Sequence, residues 1–126
     1  MPGRKLVVYI EDNPSNFALA RRILELSGAY EVLGAKDGLT GLALVHERRP
    51  DVVLLDLDLP GISGIEVVQR IRASPEIAKI PVLAVTASVM KRERMQAIDA
   101  GCNTFIEKPF DIHQLREQVD QAAGIR

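Results

Sequence analysis

Short hydrophobic runs rich in β-branched residues alternate along the chain with amphipathic stretches of about 10 to 14 residues. This alternation is typical of βα units built around a parallel sheet. The first, third and fourth apolar runs are almost continuous, as expected of strands that helices cover on both faces. The pattern therefore predicts an α/β protein in three layers with five strands, which are Leu6–Ile10, Glu31–Ala35, Val52–Asp56, Val82–Thr86 and Thr104–Ile106.

Capping residues mark the ends of several predicted helices. Asn13 can cap the first helix, and Pro14 suits its first turn. Gly28 can adopt the left-handed backbone conformation that ends a helix. Ser63 opens the third helix with the spacing of a capping box. The helix before the fifth strand is predicted to end at Gly101.

The last predicted helix is amphipathic. It begins at Asp111 and places Ile112, Leu115 and Val119 on one stripe, while Asp120 is expected to face water. This stripe would cover one side of the sheet.

Size and charge exclude several classes of function. The 126 residues suit one compact domain, 1–126, and leave no space for an output domain with its own core. With 47% hydrophobic residues and a net charge of -1, the sequence is typical of a soluble globular protein without the basic excess that nucleic-acid binding needs. The apolar runs are far shorter than the roughly 20 residues of a membrane span. The single Cys102 cannot form an internal disulfide, which favours a reducing, cytoplasmic compartment.

Acidic residues are concentrated where two predicted strands end. Glu11 and Asp12 follow the first strand, while Asp56 ends the third and Asp58 lies two residues later. In open parallel sheets, ligands bind at the carboxyl ends of strands, where chain connections leave in opposite directions. If the first and third strands are neighbours, their like charges meet, and a hard divalent cation would offset the repulsion. Because all these donors are oxygens, the sequence predicts Mg²⁺.

The acids at these strand ends could have a purely structural role. An acid at a strand end is often just a helix cap or a solvated turn residue. Burying Glu11, Asp12 and Asp56 together beside so apolar a strand would be costly, however, unless these acids had a function.

Two further strand ends complete this group. Thr86 ends the fourth strand and Lys108 follows the fifth, so a hydroxyl and a cation join the acids. Such a set suits a phosphoryl group bridged to a metal.

Four segments carry the most specific pattern, namely Glu11–Asn13, Leu54–Gly64, Val85–Ala87 and Phe105–Phe110. In this order and at these spacings, the chain resembles the receiver domains of two-component response regulators, the CheY-like family. The resemblance implies a flavodoxin-like, doubly wound sheet in the order 2-1-3-4-5, flanked by five helices. The stretch between Ser88 and Arg94 also loosely resembles the DivK-like group of stand-alone regulators.

The resemblance implies a role for each charged residue of the site. Asp56 would be the phosphoryl acceptor. Glu11, Asp12, Asp56 and the backbone carbonyl of Asp58 would hold Mg²⁺. Lys108 would pair first with the acceptor and later with a phosphoryl oxygen.

The same resemblance implies how the signal leaves the site. Thr86 would donate a hydrogen bond to the phosphoryl group, and Phe105 would be the aromatic switch residue. A cis peptide before Pro109 would direct the preceding lysine inward. Asp58 and Ser88 occupy the positions that tune the phosphoryl lifetime in this family.

The expected partners are proteins. A histidine kinase or a histidine phosphotransfer protein would supply the phosphoryl group, and a downstream protein would bind the altered surface. The chain is expected to be a switch rather than an enzyme, and a monomer or a weak dimer. The binding face in this family is built from the fourth helix, the fifth strand and the fifth helix, and here it includes Lys91, Arg92, Arg94, Phe105 and Gln114.

Two other functions stay open at this point. The chain could be a docking adaptor that works without phosphorylation. Alternatively, Asp56 and Asp58 resemble the Asp-x-Asp motif of haloacid-dehalogenase-type phosphatases, in which the first acid is a nucleophile and the second an acid/base. That family usually has Thr or Val where Pro60 stands and needs a longer chain. Turnover of a phosphomonoester would favour the phosphatase, whereas a stoichiometric phosphoprotein would favour the switch.

Overall fold

The computed structural model describes residues 3–88 and 90–124, within which five strands alternate with five helices. No helix in these two segments is both long and apolar enough to span a membrane. Each predicted strand is present, with its ends within one residue of the prediction. The strands are β1 (Lys5–Ile10), β2 (Tyr30–Ala35), β3 (Val52–Asp56), β4 (Val82–Thr86) and β5 (Thr104–Glu107). The helices are α1 (Pro14–Glu25), α2 (Gly38–Arg48), α3 (Gly64–Ala73), α4 (Lys91–Ala100) and α5 (Ile112–Ala123).

The strands form one parallel sheet in the order β2-β1-β3-β4-β5, which confirms the predicted fold class. β1 lies at the centre of the reversal, because it pairs with β2 on one side and with β3 on the other. Connections from β1 and β3 therefore leave in opposite directions, and a crevice opens above the carboxyl ends of these two strands.

The core has two halves, one on each face of the sheet. Val8, Ile10 and Leu55 pack with α2 and α3 on one face, while Tyr9 and Leu54 pack with α1 and α5 on the other. Successive side chains of a strand point to opposite faces, so a strand buried on both sides must be apolar throughout. Every residue of β3 and β4 is buried. Polar residues at the ends of these strands consequently lie in an apolar setting.

The helix ends follow the capping signals with one difference. Asn13 Oδ1 accepts hydrogen bonds from the backbone amides of Ser15 and Asn16, and Ser63 Oγ caps α3 by accepting one from the backbone amide of Glu66. α4 ends at Gly101 as predicted. α1 ends at Glu25, however, before the predicted stop at Gly28. Gly28 has the expected left-handed φ of 78°, but it lies in the turn beyond the helix.

α5 differs from its prediction at two positions. Leu115 and Val119 are fully buried, but Ile112 is 54% exposed because the first residue of the helix lies beyond the edge of the core. Asp120 does not simply face water, since its carboxylate accepts a hydrogen bond from the hydroxyl of Tyr30. Tyr30 is buried in β2 and needs an acceptor for that hydroxyl, a requirement that the α5 pattern does not reveal.

Arg72 joins several segments on the α3 side of the sheet. Its guanidinium donates to the carbonyl oxygens of Gly101 at 3.0 Å, Ala78 at 2.8 Å and Ile80 at 2.6 Å, and to Asn103 Oδ1 at 2.9 Å. All four acceptors are neutral. These bonds tie the end of α3 to the segment before β4 and to the turn between α4 and β5.

Cys102 lies in that same turn and is buried, with 4% of its surface exposed. Burial raises the pKa of its thiol to about 11, although the nearby charge of Arg72 opposes the shift. The thiol is therefore protonated at neutral pH.

Candidate functional site

Three carboxylates meet above the carboxyl ends of β1 and β3. Glu11, Asp12 and Asp56 each offer one oxygen, and these oxygens all lie within 4.8 Å of one another. Glu11 and Asp56 are each 3% exposed, while Asp12 is open to solvent. β1 brings the first pair to the site and β3 brings Asp56, because the two strands are neighbours in the sheet. The set contains only oxygen donors, which are the ligands that Mg²⁺ prefers.

Lys108 brings a positive charge to this acidic cluster. Its Nζ lies 2.8 Å from Glu11 Oε1 and 3.3 Å from Asp56 Oδ2. The Lys108 amide donates to the Thr86 carbonyl at 2.9 Å, and the peptide bond to Pro109 is cis. The predicted lysine therefore lies in the cluster, and the predicted cis peptide is present.

The acids differ in how readily they bind a proton. Burial raises the pKa of Asp56, and the adjacent Glu11 carboxylate raises it further, to about 6. Burial also acts to raise the pKa of Glu11, but hydrogen bonds involving Asp56, Lys108 and Tyr9 outweigh it and lower the value to about 2. Burial alone would lower the pKa of Lys108, whereas its two carboxylate partners raise it. The cluster thus holds an ionised glutamate, a charged lysine and an aspartate whose pKa lies above the usual value of an aspartate.

Thr86 and Asp58 lie at the carboxyl ends of two neighbouring strands, Thr86 as the last residue of β4 and Asp58 two residues beyond the end of β3. Thr86 is 2% exposed at the end of β4, and its Oγ1 accepts a hydrogen bond from the Ser88 amide at 3.0 Å. The Asp58 amide donates to Asp56 Oδ1 at 3.0 Å. The side chain of Asp58 is exposed, so this residue meets the cluster through its backbone. Ser88 is half-buried beside Thr86.

Phe105 lies on β5, outside the acidic crevice and half-buried. The guanidinium of Arg94 lies 4.5 Å from the centroid of its ring. Arg94 also donates to the Ser88 carbonyl at 3.3 Å and forms an ion pair with Glu107. This arginine thereby connects the loop after β4 to the end of β5.

Three residues that support the site were not predicted from the sequence. The Tyr9 hydroxyl and the Asn16 side-chain amide both donate to Glu11 Oε1, at 2.8 Å and 3.3 Å. Gly64 lies so close to the chain after β3 that a Cβ there would meet the Asp56 carbonyl oxygen at 2.7 Å. Tyr9 could have been found, because it lies two residues before Glu11, and residues two apart in an extended chain point to the same side. The close approach of Gly64 depends on tertiary structure and has no local signal.

Comparison with known proteins agrees with this geometry. The response regulator receiver domain family matches residues 7–120. The polar-differentiation response regulator DivK of Brucella anthropi is 38% identical over 120 residues, which are 95% of this chain and 97% of that protein. The family match includes every residue of the four segments that carry the resemblance.

Solved structures give the same result. The receiver domain of the sensor histidine kinase PA1611 from Pseudomonas aeruginosa, solved with a magnesium ion coordinated in its active site cleft, is 28% identical with a TM-score of 0.89. The alignment covers 97% of this chain and 99% of that one. The chemotaxis response regulator CheY4 of Vibrio cholerae, 24% identical over 94% of this chain and 98% of its own, shares the fold with a TM-score of 0.87. The chain therefore belongs to the response regulator receiver domain family.

Proposed function

We propose that Asp56 accepts a phosphoryl group from the phosphohistidine of a histidine kinase or a histidine phosphotransfer protein. The observation that carries this proposal is the position of the Asp56 carboxylate, buried among two other acids and in contact with Lys108. Glu11, Asp12 and Asp56 would hold Mg²⁺ through their carboxylates, and Asp58 through its backbone carbonyl. Bound there, the ion supplies positive charge to the phosphoryl oxygens.

The chain's own groups account for the remaining chemistry. A carboxylate oxygen of Asp56 attacks phosphorus in line, the P–N bond to the donor imidazole breaks, and its electron pair returns to the ring nitrogen. The Asp58 amide holds Asp56 Oδ1, which restricts the rotation of the nucleophile. Lys108 already lies 3.3 Å from the other oxygen, so its charge is in place for the incoming group.

The aspartyl phosphate then changes the surface of the molecule. It carries more negative charge than the carboxylate and adds strong acceptor oxygens. Thr86 Oγ1, which accepts from the Ser88 amide, would turn to donate to the phosphoryl group, and Phe105 would follow it inward. Phosphorylation thereby favours one of two arrangements of the face formed by α4, β5 and α5, which a downstream protein reads.

Arg94 is expected to stabilise the unphosphorylated arrangement, because it contacts both the Phe105 ring and the Ser88 carbonyl. Arg94→Ala should shift the population of the unphosphorylated protein about fivefold toward the arrangement that phosphorylation favours. This shift is equivalent to roughly 1 kcal/mol of lost contacts. NMR spectra of the unphosphorylated variant should move toward those of the phosphorylated wild type. Arg92→Ala, on the exposed side of the same helix, is the matched control. Equal spectra for the two variants would contradict the expectation.

The alternatives have weaker support from the geometry. A phosphatase of the haloacid-dehalogenase type needs the second acid to exchange protons at the reacting group. Here the Asp58 side chain is exposed, and Asp58 contacts Asp56 through its amide. An adaptor would not need Glu11 and Asp56 to be buried side by side next to the half-buried Lys108, which costs free energy.

Incubation with acetyl phosphate or phosphoramidate in Mg²⁺ tests the proposal directly. Mass spectrometry of the intact chain should show one added phosphoryl group that survives acid and is released by base. Chelation of the metal should prevent the addition. No mass increase under these conditions would reject phosphoryl acceptance and favour a docking adaptor that works without phosphorylation. Continuous hydrolysis of a phosphomonoester would instead identify a phosphatase.

A further inference from the structure

The tyrosine beneath the acidic cluster has a chemical group that packing does not require. Tyr9 is fully buried in β1, with its ring against those of Phe17 and Phe110 at centroid distances of 6.2 Å. A buried phenol hydroxyl needs a hydrogen-bond partner, and here that partner is Glu11 Oε1 at 2.8 Å. Tyr9 lies on β1 and Glu11 immediately follows the end of that strand, and the hydrogen bond shows that their side chains lie on the same side of the sheet.

The two oxygens of Glu11 have different surroundings. Oε1 accepts from the Tyr9 hydroxyl at 2.8 Å, from Lys108 Nζ at 2.8 Å and from the Asn16 side-chain amide at 3.3 Å. Oε2 accepts a longer bond of 3.3 Å from the Asn13 amide. Oε1 is therefore held by three donors, whereas Oε2 has a single, longer hydrogen bond.

Lys108 cannot serve both of its carboxylates equally once Asp56 carries a phosphoryl group. Its Nζ now lies closer to Glu11 than to Asp56, and a phosphoryl group on Asp56 would draw it away from Glu11. A buried carboxylate that loses a charged donor becomes less stable and less fixed in position. Tyr9 is not exposed to this competition, since its hydroxyl points at Oε1 from inside the core.

We propose that Tyr9 is a positioning residue, whose hydroxyl holds Glu11 in place for Mg²⁺ and keeps it in place when Lys108 moves to the phosphoryl group. This inference rests on the proposed phosphoryl acceptance at Asp56 but makes a separate claim about metal binding. Hydrogen-bond partners of metal ligands typically contribute about 10- to 100-fold in metal affinity.

Tyr9→Phe removes one oxygen atom and leaves the ring packing. Titration with MgCl₂ in a calorimeter should show Mg²⁺ affinity reduced by about tenfold, toward the lower end of that range because Lys108 and Asn16 still hold Oε1. The matched control is Tyr30→Phe, because Tyr30 also donates to a carboxylate, that of Asp120 on α5. Tyr30→Phe should bind Mg²⁺ like the wild type. Equal affinities for the two variants would overturn the proposal.

A second measurement does not depend on how well Tyr9→Phe folds. The chain has two tyrosines and no tryptophan, so Tyr9 is the sole tyrosine of the Tyr30→Phe variant. Its emission should change when MgCl₂ is added, because the hydroxyl bonds to the carboxylate that approaches the ion. An unchanged emission at saturating Mg²⁺ would also overturn the proposal.

The proposed function can fail separately from this inference. If the wild type takes up no phosphoryl group but Tyr9→Phe still lowers Mg²⁺ affinity, the positioning role stands and phosphoryl acceptance is rejected. If the wild type is phosphorylated and Tyr9→Phe binds Mg²⁺ normally, only the positioning role is rejected.

Discussion

Asp56→Asn is expected to abolish phosphoryl uptake and, in metal-free solution near neutral pH, to make the protein more stable than the wild type. The asparagine amide has no nucleophilic oxygen with a full charge, so no stable acyl phosphate forms. It also removes a buried negative charge that lies beside Glu11. Loss of function and gain of stability should therefore appear together in one variant.

The direction of the stability change follows from the pKa of Asp56, which is raised from 3.8 to about 6 in the folded protein. Between these two values the folded state binds more protons at Asp56 than the unfolded state, so stability falls as the pH rises through this window. Asp56→Asn lacks this dependence. Its advantage should grow from near zero at about pH 4 to about 1 to 2 kcal/mol above pH 6, less than the full shift because Lys108 loses a partner.

Glu11 acts in the opposite direction and in a lower pH range than Asp56. Its pKa is lowered to about 2, so the stability that it provides is lost as the pH falls below its ordinary value of 4.5. Urea unfolding across this pH range, with and without Mg²⁺, measures the difference between the two proteins. Added Mg²⁺ should stabilise the wild type more than Asp56→Asn, because the proposed metal site includes the Asp56 carboxylate and a ligand that binds only the folded state stabilises it.

Asp58→Asn is the matched control, since Asp58 is exposed and contacts Asp56 through its backbone amide. This variant should still take up one phosphoryl group, with a changed lifetime. Phosphorylation of Asp56→Asn to the wild-type level would show that another residue is the acceptor.

Arg72→Ala should cost about 2 to 4 kcal/mol of unfolding free energy, because hydrogen bonds to a charged donor are worth more than neutral ones. The variant leaves three backbone carbonyls and Asn103 Oδ1 without their shared partner. Asn103 Oδ1 also accepts from the Val82 amide at 2.8 Å, so the loss should loosen the start of β4. Chemical denaturation gives the free energy, and amide exchange at Val82 locates the effect.

Arg70→Ala provides the comparison on the same helix. Arg70 pairs with Glu66 one turn away, and both side chains are largely exposed. Exposed pairs of this kind contribute about 0.3 to 0.5 kcal/mol. Equal destabilisation by the two substitutions would mean that the contacts of Arg72 contribute no more than an ordinary surface pair.

The elements of the fold were predictable because they depend on local pattern. β3 and β4 are buried at every position, so their apolar runs stand out in the sequence and their ends are correct to the residue. The strand order came from the family resemblance, since periodicity alone does not decide which strands are neighbours. The end of α1 was wrong because Gly28 marks the turn and not the last residue of the helix.

The acids of the site were predictable because strand ends bring them to one edge of the sheet. The contacts that control them were not. The resemblance assigns Arg94 to the binding face, but it does not predict that its guanidinium lies over Phe105, a contact between residues from different elements. Likewise, the exposed Ile112 and the bonded Asp120 reflect where α5 meets the sheet, which its own periodicity does not specify.

The buried thiol of Cys102 makes this protein a convenient scaffold for site-specific labelling. Maleimides and methanethiosulfonates react with the thiolate form of cysteine. Cys102 has a thiol pKa of about 11 and is 4% exposed, so at neutral pH it has almost no thiolate and is hardly accessible to these reagents. A cysteine introduced on the outer surface of α4 would then be the preferred attachment point for a dye or a spin label, with the native residue left in place. A pair of such introduced cysteines would report distances across the molecule without first preparing a cysteine-free background.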